Sequence, residues 1–142
     1  MKVVINTCYG GFGLSLKGQK EYLKLIGKEA FFYKQTAYSH NGDKEEHTKI
    51  DVDDGSLFSM TYTKDFGDTH SKFKKEDWKY HFSCYDIERT DPNLIVVVEK
   101  LGKEANGDCS DLKIVEIPDG IDWYIDEYDG MERVDENHRS WY

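Results

Sequence analysis

The chain has 142 residues, of which 19 are basic and 28 acidic, giving a net charge of -9 at pH 7. Hydrophobic residues make up 38% and aromatic residues 14%, enough to build a core despite a mean hydropathy of -0.75, so a disordered chain is excluded. No apolar run approaches the roughly 18 residues that a membrane span needs, and the N-terminus lacks the apolar stretch of a signal peptide.

Val3-Val4-Ile5 opens the chain as a short β-branched run, the pattern of a buried strand. The glycine-rich stretch Tyr9-Gly10-Gly11-Phe12-Gly13 follows. Ser15 then predicts the N-cap of a helix with Leu16, Tyr22, Leu23, Leu25 and Ile26 on its apolar side, stopped by Gly27. Residues 30–38 return to β propensity through Phe31, Phe32 and Tyr33. Strand, helix and strand in this order predict a right-handed βαβ unit.

Residues 39–56 are polar and without period, which predicts an exposed excursion. Asp51-Val52-Asp53-Asp54-Gly55 imitates a calcium loop, but Gly55 falls one place early and Tyr62 stands where the bidentate Glu belongs. An acidic turn is the better reading. Phe58, Met60 and Tyr62 alternate, as do Trp78, Tyr80, Phe82 and Cys84, so two antiparallel strands are expected on either side of the Phe66-Gly67-Asp68 turn.

Thr90-Asp91-Pro92 is a helix start, followed by the apolar stripe of Leu94, Ile95, Val97, Val98 and Leu101 and closed by Asn106-Gly107. Residues 112–117 read as a strand, completing a second βαβ-like unit over 77–117. Residues 121–128 and 131–136 flank Asp129-Gly130, a type I′ hairpin signal. The expected fold is therefore a single α/β domain over 1–142, with a mixed sheet, two βαβ-like units, two main helices and a C-terminal β-hairpin.

Three regions could carry chemistry. In the first, Thr7, Cys8, Tyr9, Gly10, Gly11, Phe12, Gly13 and Ser15 form a loop before a helix, where backbone N–H groups and the helix dipole favour a phosphate or carboxylate. The spacing is neither G-x-G-x-x-G nor a Walker A loop, so the glycines also read as a tight turn. In the second, Asp86, Arg89 and Asp91 lie between a strand and a helix. Arg89 is the only Arg before residue 133, and its fork suits an anionic ligand or an internal pair with Asp86 or Asp91. In the third, His138, Arg139 and Trp141 in the tail could hold a base and a phosphate.

Charge and cysteines narrow the function classes. Residues 1–40 carry 6 bases and 2 acids, whereas residues 81–142 carry 6 bases and 16 acids, a distribution that disfavours general nucleic-acid binding. Cys8, Cys84 and Cys109 form no C-x-x-C motif, so neither a disulfide framework nor a zinc site is suggested, and a reducing cytoplasm is the expected location. No nucleophile, zinc-protease or cofactor motif marks the chain as an enzyme. No metal and no cofactor is expected.

The stretch Ile5-Asn6-Thr7-Cys8-Tyr9-Gly10-Gly11-Phe12-Gly13-Leu14-Ser15 resembles the opening of a family of small uncharacterised proteins encoded by phages, prophages and plasmids. The stretches 86–92, 104–107, 113–118, 123–130 and His138-Arg139 are similar to the same group, and by that resemblance residues 39–77 look like an insertion particular to this member. The resemblance implies a phage counter-defence role in the host cytoplasm. On that basis the chain is expected to bind and sequester a phosphate-bearing nucleotide-derived immune signal without catalysis, and an oligomer would suit such a role. An acidic inhibitor that docks on a host defence protein is the first alternative. An enzyme acting on a nucleotide or ADP-ribose-like substrate is the second.

Overall fold

A computed structural model describes residues 1–37, 45–52 and 59–137. The chain divides into two compact units: Met1–Gly18 with Tyr85–Tyr142, here the terminal unit, and Gln19–Cys84, here the inserted unit. The insertion expected over 39–77 falls within the second of these.

In the terminal unit, β1 (Lys2–Asn6) pairs antiparallel with β7 (Leu112–Glu116), in a register that places Val4 opposite Ile114 and Asn6 opposite Leu112. Helix α2 (Pro92–Leu101) packs against both strands. It buries Leu94, Val97 and Val98, and the β1 residues Val3, Val4 and Ile5 are also buried. Its start is as the sequence predicts, with Asp91 as N-cap accepting from the Asn93 amide at 2.8 Å and Pro92 in the first helical position. Strands β8 (Trp123–Tyr128) and β9 (Met131–Glu136) form the C-terminal hairpin. Asp129 and Gly130 both have positive φ, 51° and 88°, as a type I′ turn requires.

The inserted unit holds a five-stranded antiparallel sheet in the order β5-β3-β2-β4-β6. Its strands are β2 (Phe31–Ala37), β3 (Glu46–Ile50), β4 (Ser59–Tyr62), β5 (Thr69–His70) and β6 (His81–Phe82). Tyr33, Tyr62 and Phe73 form its core, with Phe31, Met60, Phe66 and Tyr80 packed around them. The Tyr62 and Phe73 rings stack at 4.2 Å, and Tyr33 meets both edge-on.

The α/β class, the two main helices and the hairpin match the sequence reading. Helix α1 (Leu16–Leu25) begins after Ser15, whose Oγ accepts from the Gly18 amide at 3.0 Å, and is followed by Gly27 at φ 80°. The antiparallel pairing expected on either side of the Phe66-Gly67-Asp68 turn is seen between β4 and β6, whereas the rest of the strand pairing differs from expectation. Every strand pair among the described residues is antiparallel, and the strands are shared among three sheets rather than one mixed sheet.

Neither strand–helix–strand segment closes as a parallel βαβ unit, because β1 and β7 take each other as partners while β2 and β6 join the five-stranded sheet. A β–α–β order fixes the sequence of elements but not which edge each strand finds.

Three local readings are also corrected. Residues 46–50, expected within an exposed excursion, form β3 between β2 and β5, and His47 is buried among aromatic rings. Residues 75–80 form a 3-10 helix instead of a strand, because the Asp77 carboxylate accepts from the Lys74 amide at 2.9 Å and turns the chain, leaving Trp78 exposed. Leu25 and Ile26 at the end of α1 are exposed, whereas Tyr22 and Leu23 are buried. Phe58, the Asp53-Asp54-Gly55 turn and the C-terminal tail lie outside the described residues.

Candidate functional site

The site of interest lies where β1 ends, within the terminal unit. Asn6 is the last residue of β1, fully buried, and is a polar hub. Its Nδ2 donates to the carbonyls of Cys8 and Gly130, both at 2.7 Å, and its Oδ1 accepts from the Asp111 amide at 2.8 Å. Its own backbone N–H donates to the Glu132 carboxylate at 2.8 Å. One side chain therefore ties together the glycine loop, the segment before β7 and the hairpin. Such a network is stable in a low-dielectric interior only when each member is satisfied.

Arg89 reaches the same point. Its Nη1 and Nη2 donate to the two Glu132 oxygens at 2.6 and 2.9 Å, a two-pronged pair. Nη1 also reaches the Val4 carbonyl at 3.3 Å, and the Val4 amide donates to the Arg89 carbonyl at 2.8 Å. The guanidinium lies over the buried Phe12 ring, 3.7 Å from its centroid. Glu132 is 7% and Arg89 20% exposed at the side chain, so the pair is largely withdrawn from water. Neither Asp86 nor Asp91 is the partner that sequence proximity suggested: Asp86 ends an exposed turn, and Asp91 caps α2.

The glycine loop is engaged along its length. Thr7 donates from both its amide and its hydroxyl to the Asp111 carbonyl, at 2.8 and 2.9 Å. Cys8 Sγ lies 3.2 Å from the Cys109 carbonyl oxygen. The Gly10 amide donates to the Asp129 carbonyl at 3.2 Å. The Gly13 carbonyl accepts from the Gly107 amide and the Ser110 hydroxyl, and Ser15 donates from its hydroxyl to the Glu104 carbonyl at 2.5 Å.

Gly10 and Gly11 have φ of 117° and 105°. A Cβ on Gly10 would stand 2.7 Å from Cys109 Cβ, and one on Gly130 would stand 2.7 Å from the Gly10 nitrogen and strike the Gly11 nitrogen. The loop cradles a backbone, and that backbone is the tip of the chain's own hairpin. Tyr9 projects outward, 60% exposed. His138, Arg139 and Trp141 lie outside the described residues.

The hairpin thus anchored presents two faces. Glu132, Val134, Ile125 and Trp123 share the face on which Glu132 meets Arg89. The other carries Tyr124, Asp126 and Tyr128 from β8, opposite Asp135, Arg133 and Met131 from β9. Tyr128 is 76% exposed, Tyr124 44% and Met131 36%. Arg133 bridges Asp126 at 3.2 Å and Asp135 at 3.0 Å, and the hydrogen bond to Asp135 raises its pKa further. Glu127, Asp129 and Glu136 are exposed along the hairpin. The terminal unit as a whole has 8 basic and 16 acidic residues, whereas the inserted unit has 11 and 12, so the negative charge of the protein resides in the terminal unit.

Asn6 and the exposed Tyr124, Tyr128 and Met131 are absent from the sequence-predicted set, and Glu132 enters the sequence reading only as one of the hairpin's acidic residues Asp126, Glu127, Asp129, Glu132, Asp135 and Glu136, a solubilising surface or a basic-partner face. Glu132 had a readable signal: pairing strands about Asp129-Gly130 places it on the same face as Val134 and Ile125. Among the described residues, no group of three or more His, Cys, Asp or Glu is arranged to hold a metal ion. No helix among them is long and apolar enough to cross a membrane. Comparisons with protein-family models, with curated proteins and with solved structures find no match.

Proposed function

We propose that the protein acts by binding another protein without catalysis, using the outer face of the β8–β9 hairpin to dock on a basic surface of its partner. The observation that carries this reading is the exposure of Tyr124, Tyr128 and Met131 on one face of a hairpin whose other face and tip expose the carboxylates of Glu127, Glu136 and Asp129. Tyrosine offers a large contact area at low cost in side-chain entropy, and a surrounding acidic field steers a basic partner and selects against acidic ones. The anchor beneath it, Arg89–Glu132 with Asn6, holds the face in place before binding, which lowers the ordering cost of association. The resemblance to phage and plasmid proteins makes a host defence protein the natural partner class.

The second reading is sequestration of a phosphate-bearing nucleotide at the Gly10–Gly13 loop and Arg89. It requires the ligand to displace the Glu132 carboxylate from Arg89, where both prongs are already taken. Comparative capture from host extract separates the two. The docking reading expects a basic protein held by the wild type, released by salt and lost from Tyr124→Ser/Tyr128→Ser. A nucleotide retained by both forms, and lost from Arg89→Ala, would overturn it.

A further inference from the structure

Cys8 and Cys109, 101 residues apart in the chain, meet beside the glycine loop. Cys8 Sγ is 3.2 Å from the Cys109 carbonyl oxygen and 3.4 Å from Asn6 Oδ1, so its thiol is directed at the Cys109 backbone. On the other side, Gly10 has no Cβ because Cys109 Cβ occupies the space where it would stand, 2.7 Å away. Cys109 therefore lies against the Cys8–Gly10 segment. The two residues differ in access: Cys109 is exposed, whereas Cys8 is half-buried. The third thiol, Cys84, is buried and belongs to the inserted unit.

We infer that Cys8 and Cys109 are a reversible dithiol pair, joined by a disulfide on exposure to a small-molecule disulfide such as oxidised glutathione. The difference in access sets the order of the two exchanges. The exposed Cys109 thiolate attacks the oxidised glutathione, forming a mixed disulfide and releasing one glutathione thiolate, which takes up a proton. The Cys8 thiolate then attacks the Cys109 sulfur and expels the second glutathione as thiol. The protein pair loses two electrons and two protons, and both electrons reside in the two glutathione molecules formed. Cys109 lies in the turn before β7, outside any helix or strand, while its neighbours Ser110 and Asp111 are tied to Gly13, Thr7 and Asn6, so the adjustment that brings the two Cβ atoms to bonding range falls to Cys109 itself and to the Cys8 side chain. The product cross-links the loop that supports the hairpin tip to the turn beside it.

The test is to treat the full-length reduced protein with oxidised glutathione, block remaining thiols with an alkylating reagent, and map the peptides by mass without reduction. The inference expects a peptide pair linked through Cys8 and Cys109, reversed by dithiothreitol, with Cys84 carrying no glutathione. In Cys8→Ser the link is lost and glutathione remains on Cys109. In Cys109→Ser, whose altered side chain is exposed, Cys8 takes up glutathione at least tenfold more slowly than Cys109 does in Cys8→Ser. Wild-type protein that ends with glutathione on Cys109 and a free Cys8, or with Cys8 and Cys109 linked between separate molecules, would overturn the inference.

Discussion

Arg89 and Glu132 face each other through two parallel hydrogen bonds of 2.6 and 2.9 Å, joining the segment that leads into α2 to the second strand of the C-terminal hairpin. The pair also explains how an Arg that stands alone in the first 132 residues is used. Its charge is neutralised within the chain, its plane covers Phe12, and its remaining reach goes to Val4. Removing one partner leaves the other charge poorly solvated, so Glu132→Gln and Arg89→Met should each destabilise the protein by about 3 kcal/mol, the low end for a buried pair because Arg89 retains some access to water. The double replacement Arg89→Met/Glu132→Gln, which keeps an oxygen acceptor for the buried Asn6 amide, should lose clearly less than the sum of the two single losses. Urea unfolding of the three variants measures it, and additive losses would show that the two residues are not coupled.

Asn6 serves three backbone groups and one carboxylate from one buried position: the Cys8 and Gly130 carbonyls, the Asp111 amide and, through its own N–H, the Glu132 side chain. Asn6→Leu preserves approximate size but orphans the first three. With about 1–3 kcal/mol for each buried group left unsatisfied, the loss should be at least about 3 kcal/mol. Amide exchange checks the mechanism, since the Asp111 N–H should lose its protection in the variant while the amides of the five-stranded sheet keep theirs.

Gly130 and Gly11 separate two reasons for glycine. Both have positive φ, but a Cβ on Gly130 collides with the Gly10 and Gly11 backbone, whereas one on Gly11 meets nothing within 4 Å. Gly11→Ala should therefore cost only the conformational penalty, about 1–2 kcal/mol. Gly130→Ala should cost about 1–3 kcal/mol more, because backbone must move to admit the methyl group. Equal unfolding midpoints for the two variants would contradict the close approach of hairpin and loop.

In the inserted unit, burial and then the charge of Asp77 push the Tyr62 phenol up to about 12. The unfolded value is about 10. Because the folded pKa is the higher, this group's contribution is fully present below pH ~10 and is lost as pH rises through about 12. Spectrophotometric titration should show a phenolate that forms at about pH 12, above the ordinary phenol value, and Tyr62→Phe should remove it. A Tyr62 that titrates at the ordinary phenol value would place it outside the aromatic core.

The elements with local signals were legible in the sequence. Ser15, Asp91-Pro92 and Asp129-Gly130 each announce themselves through chemistry confined to a few residues, and each appears where expected. The pairing of β1 with β7 was not legible, because β1 could pair with any exposed edge and its partner lies over 100 residues away. β3 escaped notice since Glu46, His47 and Lys49 give it a surface composition, while His47 is buried beside Phe73. At the candidate site, the glycine loop was visible, but what it holds was not. A phosphate and a hairpin tip both need closely approachable backbone, and only the fold shows that Gly130 occupies that position.

The central claim, that the hairpin face binds a basic protein, is tested most directly by native mass spectrometry of protein purified gently from host cells. The account predicts a stoichiometric complex with a basic polypeptide that dissociates as salt is raised and is absent from Tyr124→Ser/Tyr128→Ser. A bound small molecule of nucleotide mass and no polypeptide, or a polypeptide retained equally by the double variant, would contradict it.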